Sequence, residues 1–428
     1  MERLRVAKDC RHLETVSGKR TYLIGDTAWE LFHRLTLEEA EEYLTVRREQ
    51  GFNFIQAVIL AEFEGLTVPN AYGRFPLLQN ERGEYDPTRP DLSGEYHYFD
   101  HVEGIVSLAE KLGLYMGILP TWGDKYNLKW GKGPEIFNGE NAAVWGEFLA
   151  GRLSRFENVV WILGGDRPLE NELHYAVNDG LARGVRRGDG GKFLITFHPW
   201  GAHSSSEFVH DREWLDFNMS QSSHGDPCHP EGYELIARDR ALTPVKPTMD
   251  GEQRYEDHPR NSNPENGYFD AYDVRLAMYR NYLAGSCGNT YGHHSIWSMC
   301  REPYDYFPNR WRVALRRPAA EQMRHFCRFT EEHDLTALTP IDNAVPDNRH
   351  SANYVAAAVG EDVAYLYIPC GIDTRWNGDA IPFTPTRARL FEPTTGEYTD
   401  DVILDGDKLL FPHRGAGRGM DAVVILTP

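Results

Sequence analysis

Two carboxylates that follow expected strands, Asp166 and Glu252, mark where this 428-residue chain can do chemistry. Asp166 comes after residues 159–163, a continuous apolar run closed by Gly164 and Gly165 and bounded by Pro168. Such a run suits a strand buried on both faces of a parallel sheet, and a carboxylate at its C-terminal lip is a usual place for catalysis in a barrel. Glu252 follows the expected strand 246–250 through Gly251. A pair of this kind hydrolyses glycosidic bonds. One carboxylate attacks the anomeric carbon; the other protonates the leaving oxygen and later deprotonates water, and retention of configuration needs about 5–5.5 Å between them. The apolar strand before Asp166 fits an acid kept neutral by burial. Asp166 is therefore assigned as acid/base and Glu252 as nucleophile. Glu256 is a rival nucleophile, with Arg254 or Tyr255 as donors that keep the nucleophile ionised; Glu252 is preferred because it sits nearer the strand end. The plainer reading of Asp166 is a cap on the next helix.

Other strand ends carry Asp26, Glu62, Trp122, His198, His224 and His293. Each alone has a structural reading: Asp26 as a helix cap, Glu62 as the partner of an arginine, the histidines as core. Their convergence on one face of a barrel is the stronger argument. Trp29 and Trp122 offer ring faces to the C–H face of a sugar. His198, His224 and His293 can hydrogen-bond sugar hydroxyls, and Asp26 can take two hydroxyls of a terminal sugar. No H-x-H or H-E-x-x-H pattern occurs and the histidines fall on separate strands, so neither a metal nor another cofactor is expected. Two rival classes stay open: a metal-dependent hydrolase of the amidohydrolase type, and a catalytically inactive carbohydrate-binding barrel. Ser or Cys nucleophiles lack support, since there is no G-x-S-x-G.

The elements that must position these residues alternate. Strands are expected at 20–25, 54–60, 115–119, 159–163, 193–197, 215–219, 246–250 and 287–291. Helices are expected at 36–50, 101–112, 141–156, 170–187, 231–239, 271–283 and 318–332. The first helix opens on the capping box Thr36-Leu37-Glu38-Glu39 and stops at Gly51. Eight strand–helix units in about 330 residues predict a (β/α)8 TIM barrel. A doubly wound sheet is the runner-up, but Gly25-Asp26-Thr27-Ala28-Trp29 is no phosphate loop. Residues 63–98 show no period. Past residue 335 short apolar runs at 354–359, 363–369, 388–391, 402–404, 409–411 and 422–426 predict a small all-β sandwich. The expected domains are 1–334 and 335–428. The sandwich is expected to brace the barrel, with Trp376 in a loop folding back over the barrel mouth.

A formal net charge of -19 argues against nucleic acid and anionic membranes as partners. The six cysteines, at 10, 228, 287, 300, 327 and 370, form no C-x-x-C pair and read as free thiols of a reducing compartment. The charged N-terminus lacks an apolar signal core and no run is long enough to span a membrane, so a cytoplasmic location is expected. Self-association into a homo-oligomer is a further expectation.

The chain resembles the apiosidase-like family of glycoside hydrolases, barrel enzymes with a C-terminal sandwich often labelled collagen-binding. The resemblance is carried by Gly25-Asp26-Thr27-Ala28-Trp29, Pro120-Thr121-Trp122-Gly123, Trp161-Ile162-Leu163-Gly164-Gly165-Asp166, His198-Pro199, Gln221-Ser222-Ser223-His224, Lys246-Pro247 with Gly251-Glu252 and Tyr255-Glu256, and Thr290-Tyr291-Gly292. It implies an exo-acting hydrolase with a pocket-shaped site, acid/base at Asp166 and nucleophile at Glu252. Tyr255 and Tyr291 join the expected substrate-binding set. The best-known activity of the family is release of apiose, a branched pentofuranose, from pectin side chains. Gln253 and Arg254 depart from the family pattern, where a proline is expected.

Overall fold

The computed structural model describes residues 1–227, 229–349 and 352–428; Cys228, one of the expected thiols, lies outside the described residues. Eight parallel strands form the barrel: β1 (Leu23–Thr27), β2 (Phe54–Val58), β3 (Tyr115–Leu119), β4 (Val159–Gly164), β5 (Ile195–His198), β6 (Asn218–Gln221), β7 (Thr248–Asp250) and β8 (Gly288–Tyr291). The sheet runs from β5 back through β4, β3, β2 and β1, then through β8 and β7 to β6, where the short strand His203–Ser204 adds antiparallel as a ninth. The seam between β5 and β6 is nearly closed: Asp216 N–H donates to the Ile195 carbonyl at 2.9 Å and the Thr196 hydroxyl to the Phe217 carbonyl at 2.7 Å. This is the (β/α)8 architecture read from the sequence.

Among the described residues, seven long helices cover the barrel: α1 (Leu37–Glu49), α2 (Tyr98–Leu112), α3 (Gly139–Leu153), α4 (Glu172–Asp189), α5 (Gly232–Arg240), α6 (Ala271–Leu283) and α7 (Pro318–Glu332). The crossover after β5 carries only the one-turn helix Ser206–Val209. The capping box at Thr36 and Glu39 forms as the sequence predicts. Alternation sorts the strand residues. Val160 and Ile162 fill the barrel interior with Leu23, Phe54, Val58, Leu119, Phe217 and Met249. Val159, Trp161 and Leu163 point the other way, into the layer shared with the helices. A small antiparallel sheet of Leu4–Val6, Leu13–Thr15 and Arg20–Thr21 packs Leu4 and Leu13 onto the interior cluster. The expected first strand at 20–25 is therefore two elements: Arg20–Thr21 belongs to this sheet, and the barrel strand starts at Leu23.

The C-terminal region is all-β, as read. A six-stranded antiparallel sheet holds the main strands β9 (Ala356–Val359), β10 (Ala364–Ile368), β11 (Arg387–Phe391) and β12 (Ala422–Thr427), and a three-stranded sheet faces it. Leu366, Leu390, Val424, Leu409 and Phe411 fill the space between them. Trp376 lies in this core, 8% exposed, and not over the barrel mouth. Burying a large ring inside the sandwich removes more apolar surface from water than a solvent-facing loop position would. The outer face of the large sheet packs on α6 and α7. Tyr279 stacks on Tyr367 with centroids 5.4 Å apart, and Phe329 meets Phe391 at 4.8 Å. Arg275 makes a two-pronged ion pair with buried Asp421 at 2.9 and 2.7 Å. Cys10, Cys287, Cys300, Cys327 and Cys370 are free thiols. Among the described residues, no helix is long and apolar enough to cross a membrane.

Candidate active site

The loops after the barrel strands enclose a cavity of about 520 Å³ lined by Trp29, Glu62, Trp122, Trp130, Asp166, Trp200, Gln221, His224, Glu252, Tyr255 and several further aromatics. Both expected catalytic carboxylates open into it. Asp166 reaches it through a strained turn. Gly164 and Gly165 have φ of 89° and 110°, and Asp166 itself has φ of 53°. A non-glycine residue in that region is uncommon and clusters at functional sites. A Cβ on Gly165 would lie 2.7 Å from the Gly123 nitrogen, so only glycine lets the β4 lip pass the β3 loop.

The two carboxylates have opposite surroundings. Burial pushes the Asp166 carboxyl up, and the negative charge of Glu252 pushes it further. The Arg167 guanidinium at 3.1 Å and the Trp130 indole N–H at 3.0 Å oppose this in part. Burial would also raise Glu252, but the histidines outweigh it and hold that carboxyl down at about 2. His224 Nε2 lies 3.0 Å from Glu252 Oε1, His198 Nε2 lies 3.1 Å from Oε2, and the Gln221 amide donates to Oε1 at 3.1 Å. These three side chains project from the β5 lip, from β6 and from the loop just after β6. His224 is itself seated on His258, ring centroids 4.1 Å apart, and beside Tyr255 at 4.3 Å.

Of the expected sugar-binding residues, Trp29, Trp122, His224 and Tyr255 line the cavity. Trp29 and Trp122 sit with centroids 5.0 Å apart, and His198 meets Trp29 edge-on at 5.4 Å. Asp26, Tyr291 and His293 lie elsewhere, for a reason of strand phase. Leu23 and Thr290 point inward, so Asp26 and Tyr291 point outward. Asp26 accepts from Tyr43 at 2.6 Å and pairs with fully buried Arg47 of α1. The Tyr291 hydroxyl donates to Glu256 at 2.8 Å. His293 pairs with Asp257 at 3.1 Å and accepts from Ser295 N–H, capping the turn His294–Trp297. Glu256, the rival nucleophile, accepts from Ala319 N–H at 3.0 Å as well as from Tyr291. It thereby satisfies a free amide in the first turn of α7 and does not line the cavity. Gly292 makes room for the neighbouring ring: a Cβ there would lie 2.0 Å from Tyr255.

Sequence reasoning missed Trp130, Trp200 and Arg167. Glu62 pairs with an arginine as anticipated: Arg167 Nη2 lies 3.4 Å from Glu62 Oε1. The chain neighbour of Asp166 was a visible signal for Arg167. Nothing local points to Trp130, which comes from the loop after β3.

Residues 7–337 match the family model described as apiosidase-like, catalytic domain. Among solved structures, the chain is similar to one from Bacteroides vulgatus ATCC 8482 described as a glycoside hydrolase family 5 protein. The identity is 27%, the match covers 99% of this chain and 93% of the other, and the TM-score is 0.87. A second, described as a glycoside hydrolase, matches at 27% identity over 100% of this chain and 97% of its own, with a TM-score of 0.86. No curated protein matches the sequence.

Proposed function

The chain belongs to the apiosidase-like family and is a glycoside hydrolase; from that premise we propose that it is an exo-acting, retaining enzyme with Asp166 as acid/base and Glu252 as nucleophile. The observation that carries this reading is the opposed ionisation of two carboxyls in one cavity: burial and the Glu252 charge favour the protonated form of Asp166, while His198 and His224 keep Glu252 ionised. A group that donates a proton and a group that attacks need these two states at one pH.

In the first step a Glu252 oxygen forms a bond to the anomeric carbon as the glycosidic C–O bond breaks, and the Asp166 proton passes to the leaving oxygen. In the second, Asp166 takes a proton from water. The water oxygen bonds to the anomeric carbon and the Glu252 carboxylate leaves. Trp29 and Trp122 form the floor under the sugar. Tyr255 and His224 close the wall beside Glu252. The substrate class is a terminal sugar, a pentofuranose such as apiose included, on a plant-derived oligosaccharide or glycoside. A cavity of about 520 Å³ fits one or two sugar rings rather than a long polymer cleft.

The test is hydrolysis of a panel of 4-nitrophenyl pentosides and hexosides, apiosides included, by wild type, Asp166→Ala and Glu252→Ala. One glycoside is cleaved and both variants lose most of the activity. Azide restores turnover in both: Glu252→Ala yields the glycosyl azide of inverted configuration and Asp166→Ala that of retained configuration. A Glu252→Ala enzyme close to wild type sinks the assignment.

A further inference from the structure

A guanidinium 3.1 Å from a general acid favours the ionised form of that acid, which is the wrong form for protonating a leaving group. The molecule contains a counterweight. Arg167 is wholly buried and forked. Its Nη1 donates to the Asp166 main-chain oxygen at 2.7 Å and to Oδ2 at 3.1 Å, and its Nη2 lies 3.4 Å from Glu62 Oε1. Glu62 opens into the same cavity from the loop after β2, with 18% of its side chain exposed. The guanidinium also lies 4.7 Å above the Trp130 ring, whose N–H donates to the same Asp166 oxygen at 3.0 Å. Glu62, Arg167, Trp130 and Asp166 are one connected unit.

We propose that Glu62 is a positioning residue for the acid/base, acting through Arg167: it offsets the guanidinium charge, so that ionisation of either carboxyl makes the other hold its proton more firmly. The proposal rests on the reading of Asp166 as acid/base. The groups facing Glu62 are Arg167, which favours its ionised form, and Asp166, Asp124 and Glu30, which oppose it. Lys125 gives its ammonium to Asp124 at 2.7 Å and to the Glu62 main-chain oxygen at 3.1 Å. Asp166 is faced by Glu252, Arg167, Trp130 and His198. Burial is the largest influence on Glu62 and carries its carboxyl up to about 8. With one proton left on the pair, the ionised carboxyl takes up the Arg167 charge and the other keeps the proton, so Asp166 stays partly protonated until the second proton leaves near 8. Glutamine at position 62 keeps the shape and cannot ionise.

The experiment uses full-length protein with ¹⁵N-labelled tryptophan, Trp130→Phe identifying the Trp130 indole resonance. That resonance reports the ionisation of Asp166 without turnover. In wild type it titrates in two steps, the upper one near 8. In Glu62→Gln it titrates in one step that is complete at lower pH. In parallel, the alkaline limb of kcat/KM for an alkyl glycoside, whose leaving group needs a proton, falls about one pH unit earlier in Glu62→Gln. The limb for the 4-nitrophenyl glycoside, whose leaving group does not, stays in place. Identical one-step titrations in the two proteins overturn the proposal, as does an equal loss at every pH with both leaving groups, which marks a plain packing role. Asp166→Asn separates the two failures. If it cleaves the alkyl glycoside at the wild-type rate, the acid/base reading fails and takes the proposal with it. If it is impaired while the indole titrations coincide, the proposal alone is overturned.

Discussion

Replacing His224 by phenylalanine tests how the nucleophile is kept ionised. The phenyl ring retains the stacking on His258 and Tyr255 at 4.1 and 4.3 Å and removes the nitrogen 3.0 Å from Glu252. In the intact site two imidazoles overcome burial and bring Glu252 from the ordinary glutamate range to about 2. That fall corresponds to about 3 kcal/mol of preference for the charged form. With one imidazole gone, roughly half of the opposing force is lost while burial persists, so the acid limb of kcat/KM climbs by about one to two pH units. The sign follows from a depressed carboxylate. Its contribution to folding is fully present above the ordinary glutamate value and is lost as pH falls through about 2. Wild type therefore keeps its nucleophile ionised throughout the range from pH 7 to about 3, and the variant does not. The assay is kcat/KM from pH 7 down to the acid edge of folding, with circular dichroism at every point to separate titration from unfolding. His224→Gln, which keeps an N–H donor, falls between the two. An acid limb of His224→Phe that superimposes on wild type would refute the argument that the imidazoles hold the charge.

Asp26→Ala leaves the fully buried Arg47 without its counter-charge and destabilises the fold by about 3–5 kcal/mol, with an apparent melting temperature lower by about 3–6 °C. KM at a permissive temperature stays unchanged; a raised KM with an unaltered melting temperature would instead put Asp26 on the substrate. Truncation before residue 335 uncovers Tyr279, Phe326 and Phe329 and yields insoluble protein, checked by the soluble fraction after expression. A soluble, fully active barrel would show that the sandwich is no brace. Asp421→Ala strands Arg275 between the two regions and lowers the melting temperature without changing the pH profile, measured on the full chain.

The barrel was legible because short strand-like stretches alternate with helical ones, and the sandwich because its turns are marked by glycine, proline and aspartate. Within the site, legibility divides along the barrel. His198 ends β5, Gln221 ends β6 and His224 follows three residues later, so a regular strand fixes their direction toward Glu252. The same regularity misled at Asp26 and Tyr291: both sit at strand ends, but the phase of alternation turns both onto Arg47 of α1, and phase depends on where the strand begins. A start at Leu23 rather than residue 20 could not be read from composition alone. The surroundings of Asp166 were hidden for a different reason. Glu62, Trp130 and Arg167 come from the loops after β2, β3 and β4, where no repeat fixes side-chain direction and only the folded chain brings them within hydrogen-bond reach. The two halves of the barrel thus build opposite environments by different means. Strand ends β5 to β6 present convergent donors that stabilise a charge, while loops after β2 to β4 bury a carboxyl beside a cation whose charge is shared with a second carboxyl. Loop residues drift in sequence more readily than strand ends. On this division, proteins of the same fold should keep the nucleophile's histidines in register while the leaving-group side, and with it the working pH, varies.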